Sequence, residues 1–262
     1  MIIDVDGRIV DASTAGRPFE PALPGIVFLH GSGFDRTVWQ MQARYFSHHG
    51  FAVLVVDLPG HGRSPGPAAG SIEECSGIIE GAIVTSGLQK ATIVGHSMGS
   101  LIALELGASE SVERLILTGA ALELPVHPEL LAAAQAGDQK AFDLITAWGY
   151  GKPSHLGGHP GAGVWMTGGG LRLLERSPAG VLGQDLSACN AYAGGERAAG
   201  AVGVPTLVIA GSMDRMTPLA ASKALVDMIP DSRLDIIEGA GHMMMLEAPN
   251  ETLASMRRFL EG

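Results

Sequence analysis

Short runs of apolar residues alternate with helical patterns along most of this chain, and this alternation restricts the fold more than any other feature. Phe51–Val56 reads Phe-Ala-Val-Leu-Val-Val, so a strand there would be apolar on both faces. Strands of that kind lie inside parallel sheets, where helices cover both faces. The alternation therefore predicts an α/β fold with a mostly parallel sheet and right-handed crossovers.

The predicted elements follow the chain in a regular order. Eight strands are predicted at Ile2–Val5, Arg8–Ala12, Ile26–Leu29, Phe51–Val56, Ala91–Val94, Arg114–Thr118, Thr206–Ala210 and Arg233–Ile237. Helices are predicted at 36–48, 71–86, 98–108, 219–229 and 248–261. Asp6-Gly7 is a turn pair typical of a hairpin and should join the first two strands.

One long segment, residues 121–201, contains no convincing strand. Its predicted elements are a helix near 129–148, a loop rich in Gly, His and Pro at 151–170, and helical patterns near 171–177 and 179–199. We interpret 121–201 as a helical insert over the sheet, and residues 1–120 and 202–262 as the core. A chain of 262 residues buries enough surface to need no disulfide or metal for stability.

Composition excludes several classes of function. The chain has 27 acidic and 17 basic residues, with no Lys/Arg cluster, so we expect no nucleic-acid partner. The N-terminus lacks the pattern of a signal peptide, and the longest uncharged stretch, Pro153–Leu171, is too rich in Gly, Pro and His to span a membrane. Cys75 and Cys189 do not make a disulfide framework and are expected to be buried thiols. These features predict a cytoplasmic protein with no membrane association.

The strongest chemical signal is Gly95-His96-Ser97-Met98-Gly99, which matches G-x-S-x-G. It follows a predicted strand and opens a predicted helix, which is the setting of a nucleophile elbow. The glycines lack side chains that would clash in so sharp a turn. The helix N-terminus behind Ser97 offers unpaired N–H groups to a developing anion. The pattern predicts Ser97 as a catalytic nucleophile.

A serine nucleophile needs a base and an acid that orients the base. His242 follows the last predicted strand, and Asp214 follows the strand before it, so both lie where α/β sheets bind ligands. The chain order Ser, Asp, His is that of a G-x-S-x-G hydrolase. Glu123 and Glu238 remain as alternatives for the acid.

The oxyanion of an acyl-transfer reaction needs two backbone donors. One is the N–H of Met98, directly after the nucleophile. The other is expected from His30-Gly31-Ser32-Gly33 after the third strand, with Ser32 favoured and Gly33 second.

The substrate pocket is predicted from residues near the catalytic loops and in the insert. Besides Gly31 and Gly33, the candidates are Trp148, Trp165, Met166 and Met243, which together could form an apolar pocket. His155 and His159 have the i, i+4 spacing of zinc ligands, but Gly157, Gly158 and Pro160 disfavour a helix there. We therefore predict no metal and no cofactor.

Taken together, these motifs resemble the α/β-hydrolase superfamily. The resemblance rests on His30–Gly33, the segment Asp57–Ser64, Gly95–Gly99, Asp214 and Gly241-His242, and it extends over the whole chain in the family's order. It implies an eight-stranded α/β-hydrolase sheet with the insert as a cap over the pocket. It also implies that the first residue after the His-Gly pair, Ser32, supplies the second oxyanion donor. In that family Asp57–Ser64 is a structural turn, so its polar residues are left out of the catalytic set.

Within the superfamily, several subfamilies fit in part. The loop from His30 to Trp39 is similar to that of perhydrolase and haloperoxidase-like esterases, although Gly33 replaces the proline that favours peroxide. His-Gly-Ser-Gly is also similar to carbon–carbon bond hydrolases of meta-cleavage pathways, but His96 and Met243 depart from their pattern. Enol-lactone hydrolases remain open, whereas Ser97 argues against the dehalogenases and epoxide hydrolases, whose nucleophile is Asp.

The sequence thus predicts a serine esterase whose partner is a small to medium carboxylic ester. Enol-lactone and carbon–carbon bond hydrolysis are the enzymatic alternatives. A hydrolase-fold receptor that binds a small ligand is the alternative outside enzymes, because fold alone does not determine function.

Overall fold

A twisted eight-stranded sheet runs through the centre of the molecule and confirms the predicted α/β-hydrolase fold. The computed structural model describes residues 1–157 and 163–261. In chain order, strands β1 to β8 are Ile2–Val5, Arg8–Ser13, Gly25–Leu29, Ala52–Val56, Ala91–His96, Val112–Thr118, Thr206–Gly211 and Ser232–Ile237. Their order across the sheet is β1-β2-β4-β3-β5-β6-β7-β8, and β3 to β8 run parallel while β2 is antiparallel to both of its neighbours.

Helices cover both faces of this sheet. In the described residues, helices α1 to α12 are Gln40–Ser47, Ile72–Ser86, Met98–Glu105, Pro128–Gln135, Gln139–Gly149, Lys152–His155, Met166–Arg176, Val181–Ala191, Gly195–Ala201, Leu219–Met228, Met244–Glu247 and Pro249–Glu261. Short 3-10 helices lie at Arg36–Trp39 and Leu106–Ala108. Ser71 caps α2 through a hydrogen bond from the N–H of Glu74.

Successive residues of the central strands face opposite layers of helices. In β3, Val27 and Leu29 belong to the core that contains residues of α2 and α3, whereas Ile26 and Phe28 belong to the core with α1 and α12. Every residue of β3, β4, β5 and β7 is buried. Burial on both faces explains why these strands contain no Asp, Glu, Lys or Arg.

The strand order creates a crevice at the carboxyl ends of β3 and β5. After β3 the chain builds β4 on one side, and it then returns through α2 to build β5 on the other side. The loops that leave β3 and β5 therefore diverge at a topological switch point, where ligands of open α/β sheets bind. The motifs at His30–Gly33 and Gly95–Gly99 both lie there.

The described residues between β6 and β7 form helices α4 to α9. The helix predicted near 129–148 is wrong as a continuous element, because α4 and α5 are separate. Gly137 between them has a φ of +68°, and the side chain of Asp138 caps α5. The pattern at 179–199 is likewise divided, into α8 and α9.

No helix in the described part of the chain is long and apolar enough to cross a lipid bilayer. Of the histidine pair considered for metal binding, His159 lies outside the described residues. In the ranges 1–157 and 163–261, no three His, Cys, Asp or Glu side chains are grouped so as to hold a metal ion.

The turn after β4 depends on a glycine at position 62. Gly62 has a φ of +49°, and a Cβ there would lie 2.4 Å from the Cγ atom of Asp57. Asp57 is buried, and its carboxylate accepts hydrogen bonds from the N–H groups of Arg36 and Arg63. Gly66 also has a positive φ, +94°, but a Cβ there would meet nothing within 4 Å. Gly66 is therefore a matched control.

We expect Gly62→Ala to lower the free energy of unfolding by about 3 kcal/mol. The new methyl group would strain the backbone at a positive φ, and it would also displace the hydrogen-bonded carboxylate of Asp57. Gly66→Ala introduces the strain alone and should cost about 1 kcal/mol. Urea denaturation followed by circular dichroism measures both values. Equal losses in the two variants would contradict a role for Asp57 in the turn.

Candidate active site

Ser97 occupies the turn between β5 and α3 in a conformation that L residues rarely adopt. Its φ is +53° and its ψ is −118°. A Cβ at Gly95 would lie 2.2 Å from the carbonyl oxygen of Gly99, so the close approach of strand and helix requires glycine there. The turn leaves Ser97 lining two cavities at the carboxyl edge of the sheet. Such backbone strain is typical of functional sites.

The loops after β7 and β8 bring Asp214 and His242 into contact. The Nδ1 atom of His242 donates a 2.8 Å hydrogen bond to Asp214 Oδ2, which leaves a lone pair on Nε2. The Nε2 atom is buried and has no hydrogen-bond partner among the described residues. Ser97 and His242 line the same two cavities. The fold thus brings the three predicted catalytic residues to one edge of the sheet.

The surroundings of Asp214 keep this buried carboxylate ionised. Burial acts to raise the pKa of Asp214, but His242 and hydrogen bonds from Thr217 outweigh it and hold the pKa below its usual value. Asp214 Oδ1 accepts hydrogen bonds from the N–H groups of Met216 and Thr217, each at 2.9 Å. An ionised Asp214 fixes the His242 tautomer that presents its lone pair away from the carboxylate.

Thr217 is a residue of the site that sequence reasoning missed. Its Oγ1 donates a 2.5 Å hydrogen bond to Asp214 Oδ2 and lies 3.2 Å from His242 Nδ1. An Asp followed three residues later by Thr is a pattern for a side-chain turn, and that signal could have indicated Thr217. The alternative acids Glu123 and Glu238 are both exposed, and neither hydrogen-bonds to His242.

Two backbone N–H groups beside Ser97 donate no hydrogen bond to a described residue. One belongs to Met98, the first residue of α3, and the other to Ser32 in the loop after β3 (residues 30–35, the β3 loop). The N–H of Gly33, the second choice from the sequence, instead donates to Asp185 Oδ2 at 2.8 Å. Gly31 packs against the elbow, since a Cβ there would lie 3.1 Å from the Cβ of Ser97.

Two cavities meet at Ser97 and His242. The outer cavity has a volume of about 150 Å³ and is lined by Trp148 together with residues of α4, α8 and the loops after β6 and β7. The inner cavity, of about 30 Å³, is lined by Gly31, Tyr150 and Met243 among others. No Asp or Glu is among the described residues that line either cavity, and most of the lining side chains are apolar, although Arg215 also lines the outer cavity.

The other predicted pocket residues lie elsewhere. Trp165 and Met166 are not among the described residues that line the two cavities. Trp165 is 71% exposed, and its ring lies over Gly168, while Met166 is buried in the core on the α1 side of the sheet. Gly33 borders a different cavity, beside Arg36.

Several lining residues of the outer cavity were not predicted: Leu124, Val126, Leu130, Leu186, Cys189 and Met216. Five of these six belong to the insert or its first loop, and their apolar side chains do not differ in the sequence from ordinary core residues. Only the path of the insert across the sheet places them beside Ser97.

Glu247 anchors the loop that carries His242. Its Oε1 accepts hydrogen bonds from the N–H groups of Gly241 and Met243, on either side of the histidine, at 3.0 and 3.2 Å. Its Oε2 accepts from the Gly151 N–H and the Ser154 hydroxyl, both at 2.7 Å. Burial raises the pKa of Glu247, although the four hydrogen bonds oppose this effect. One carboxylate therefore joins the histidine loop to the insert.

His96 supports the same loop from below. Its Nε2 donates a 3.0 Å hydrogen bond to the carbonyl of His242, and its Nδ1 has no partner among the described residues. Burial, followed by the proximity of His242, lowers the pKa of His96 to about 3. The folded protein thus keeps this histidine neutral where the unfolded chain would bind a proton.

This difference predicts a loss of stability in acid. The unfolded state binds the extra proton between pH 6.5 and about 3, so the free energy of unfolding falls as the pH falls through that range. His96→Asn retains an N–H donor for the His242 carbonyl but removes the titration. Between pH 7.5 and 5, we expect the wild type to lose about 2 kcal/mol more than the variant. Urea denaturation at the two pH values measures this, and equal losses would contradict it.

Comparison with known proteins identifies the family of the chain. A sequence model of the Alpha/beta hydrolase family matches residues 26–256. Among relatives, the (E)-2-((N-methylformamido)methylene)succinate hydrolase of Acinetobacter baylyi is 28% identical over 252 residues, which cover 90% of each chain.

Solved structures give the same result. A thermophilic esterase is 31% identical, with a TM-score of 0.80 over 100% of this chain and 96% of that chain. The enol-lactonase of Burkholderia xenovorans has a TM-score of 0.89 over the whole of both chains at 23% identity, which is a likeness of fold. Because the family match covers nearly the entire sequence, including all three loops of the site, the chain belongs to the alpha/beta hydrolase family.

Proposed function

We propose that this protein is a serine hydrolase that cleaves small to medium carboxylic esters through an acyl-enzyme. The observation that carries the proposal is the 2.8 Å hydrogen bond from His242 to Asp214, with the Nε2 lone pair left free in a cavity that Ser97 also lines. A serine hydroxyl is a weak nucleophile and needs such a base. The family membership and the similarity to an esterase support the hydrolase class.

In the acylation step, His242 Nε2 takes the hydroxyl proton as Ser97 Oγ attacks the ester carbonyl. The carbonyl oxygen becomes an oxyanion, which the N–H groups of Ser32 and Met98 stabilise. The tetrahedral intermediate then collapses, and His242 returns its proton to the departing alcohol. Asp214 stabilises the imidazolium throughout without accepting its proton.

Deacylation repeats the sequence with water. His242 removes a proton from a water molecule, whose oxygen attacks the acyl carbon of the Ser97 ester. A second oxyanion forms at the same two N–H groups, and its collapse expels Ser97, which regains its proton from His242. The products are a carboxylic acid and the free enzyme, and the reaction requires no cofactor.

The cavities set the size of the substrate. A cavity of about 150 Å³ accommodates a molecule the size of benzene, so the outer cavity fits a chain of about four to six carbons. The inner cavity, of about 30 Å³, has space for a methyl-sized group. We therefore expect short to medium acyl chains to be preferred over long ones.

Steady-state hydrolysis of p-nitrophenyl esters from acetate to decanoate tests this function. We expect kcat/KM to be highest at butyrate or hexanoate and to decline for longer chains. Ser97→Ala should reduce kcat by at least about 10⁴-fold, because it removes the oxygen atom that attacks the ester carbonyl. Mass spectrometry of the wild type during turnover should detect the acyl group on Ser97.

Other outcomes would identify the alternatives. Turnover of an enol-lactone in preference to every ester would assign lactone hydrolysis, which uses the same acyl chemistry. Activity on a vinylogous diketone alone would assign carbon–carbon bond hydrolysis. Binding of a small ligand without multiple turnover would assign a receptor and contradict the proposal.

Thr217 provides a second test, because its hydroxyl orients Asp214 without contacting the substrate carbonyl. Thr217→Val removes a hydrogen bond to a charged group, which is worth about 1.5 kcal/mol, so kcat/KM should fall about 10-fold. Thr217→Ser retains the hydroxyl and should remain within about twofold of the wild type. Unchanged kinetics in Thr217→Val would show that Asp214 needs no support from this residue.

A further inference from the structure

One face of α8 in the insert rests on the β3 loop. Leu182, Asp185, Leu186 and Cys189 have the spacing i, i+3, i+4 and i+7, which places them on a single helical face. Asp185 accepts the hydrogen bond from the Gly33 N–H, and Cys189 Sγ lies 3.7 Å from the hydroxyl oxygen of Ser32. Leu186 lines both cavities beside Ser97. The loop that offers an oxyanion donor is therefore supported by the insert.

Asp185 is a charged residue in an unusual position. It is only 3% exposed, and its Oδ2 accepts two hydrogen bonds, from the Gly33 N–H and from His61 Nε2, each at 2.8 Å. His61, in the turn after β4, is 1% exposed. An ionised group as deeply buried as this is retained only when it is paired and hydrogen-bonded. The acylation and deacylation steps proposed above involve neither Asp185 nor His61.

The hydrogen bonds of His61 define its charge. Its Nδ1 lies 3.0 Å from the carbonyl oxygen of Pro59, which can only accept. Its Nε2 faces the carboxylate of Asp185, which also accepts, so both ring nitrogens donate. Burial acts to lower the pKa of His61, but Asp185 outweighs burial and raises it. The two residues therefore form an ion pair of imidazolium and carboxylate.

This pair acts on the loop in two ways. The hydrogen bond to Asp185 turns the Gly33 N–H toward α8 and fixes the peptide that joins Ser32 to Gly33. The Ser32 N–H, one peptide earlier, stays free beside Ser97. In addition, Asp185 is bound to the peptide that follows the Ser32 N–H, so its negative charge would oppose a developing oxyanion there, and the positive charge on His61 reduces that repulsion.

We propose that Asp185 and His61 are positioning residues that hold the β3 loop in the geometry for oxyanion binding. This inference rests on the proposed function, because it assigns Ser32 a role in acyl transfer. On this proposal, helix α8 of the insert both lines the pocket and holds the β3 loop in place beside Ser97.

Three variants and one control separate charge from packing. Asp185→Asn removes the charge with little change in shape, and His61→Gln leaves Asp185 without a counter-charge. The double variant removes both charges. Ser187→Ala is the control, since Ser187 lies on the same helix and, among the described residues, its side chain hydrogen-bonds only within the insert, to Gln135 and Gly183.

Steady-state kinetics should order these variants by charge. We expect kcat to fall about 10-fold in Asp185→Asn, which weakens the hydrogen bond from the Gly33 N–H. His61→Gln leaves the charge of Asp185 uncompensated beside the oxyanion, and its kcat should fall about 100-fold, a loss comparable to that of one oxyanion donor. KM should stay within about threefold. The double variant should be about 10-fold faster than His61→Gln, since the opposing carboxylate is gone. A purely structural pair predicts the reverse, with the double variant the least active.

A transition-state analogue gives a readout that loss of stability does not imitate. Ser97 Oγ adds to the carbonyl of an alkyl trifluoromethyl ketone, its proton passes to His242, and the carbonyl oxygen becomes the oxyanion. Affinity for this inhibitor should fall in parallel with kcat, whereas affinity for the unfluorinated ketone should stay within about twofold. Ser187→Ala should match the wild type in both. Unchanged trifluoromethyl ketone affinity in both single variants, with a lowered melting temperature, would overturn the proposal.

Hydrogen exchange keeps the two proposals distinguishable. If the wild type hydrolyses no ester and Ser97 forms no adduct, the proposed function fails. The positioning of the loop is then decided by amide exchange in peptides covering residues 30–35. Asp185→Asn should exchange at least about 10-fold faster there than the wild type or Ser187→Ala, with other segments unchanged. Equal exchange rates in all three proteins would show that the hydrogen bond between Gly33 and Asp185 does not hold the β3 loop in place.

Discussion

The hydrogen bond between His242 Nδ1 and Asp214 is the interaction on which the rest of the site depends. It joins the loops after β7 and β8 in a buried setting, and it places the proton of the neutral histidine on Nδ1. Asp214 stays ionised because three donors and the histidine face it, although burial alone would favour its neutral form. The sheet supplies the geometry, since parallel strands end at the same edge and their following loops converge there.

Two further carboxylates, the partly buried Glu247 and the buried Asp185, join the insert to the core. Glu247 connects the His242 loop to the start of α6, and Asp185 connects α8 to the β3 loop and to His61. Each accepts several hydrogen bonds, which compensates for the loss of water around the charge. The insert is therefore hydrogen-bonded to the loops on both sides of Ser97, and a change in its position would move the proposed base and the proposed oxyanion donors together.

The sequence predicts those residues of the candidate site whose type suits the chemistry and whose neighbours indicate a recognisable local structure. Ser97 is indicated by a sharp turn that needs glycines on both sides, while Asp214 and His242 are indicated by their places after predicted strands. The prediction of Trp165 and Met166 rests on residue type within the insert, and both lie away from the two cavities because residue type does not define the direction of a helix. Thr217 has a local signal in its spacing from Asp214, but Asp185 has none, because its partner Gly33 is 152 residues away in the chain.

The amino-acid sequence by itself determined the eight strands, the helices of the core, the elbow at Ser97 and the order of the three candidate catalytic residues. These features follow from periodicity, glycine placement and short-range sterics, which operate within a few residues. Only the tertiary structure decided which insert residues line the cavities, which amide of the β3 loop stays free, and which charges are paired in the interior. Those outcomes depend on how α4 to α8 pack over the sheet. Packing between segments that are distant in the chain does not produce a periodic pattern in the sequence.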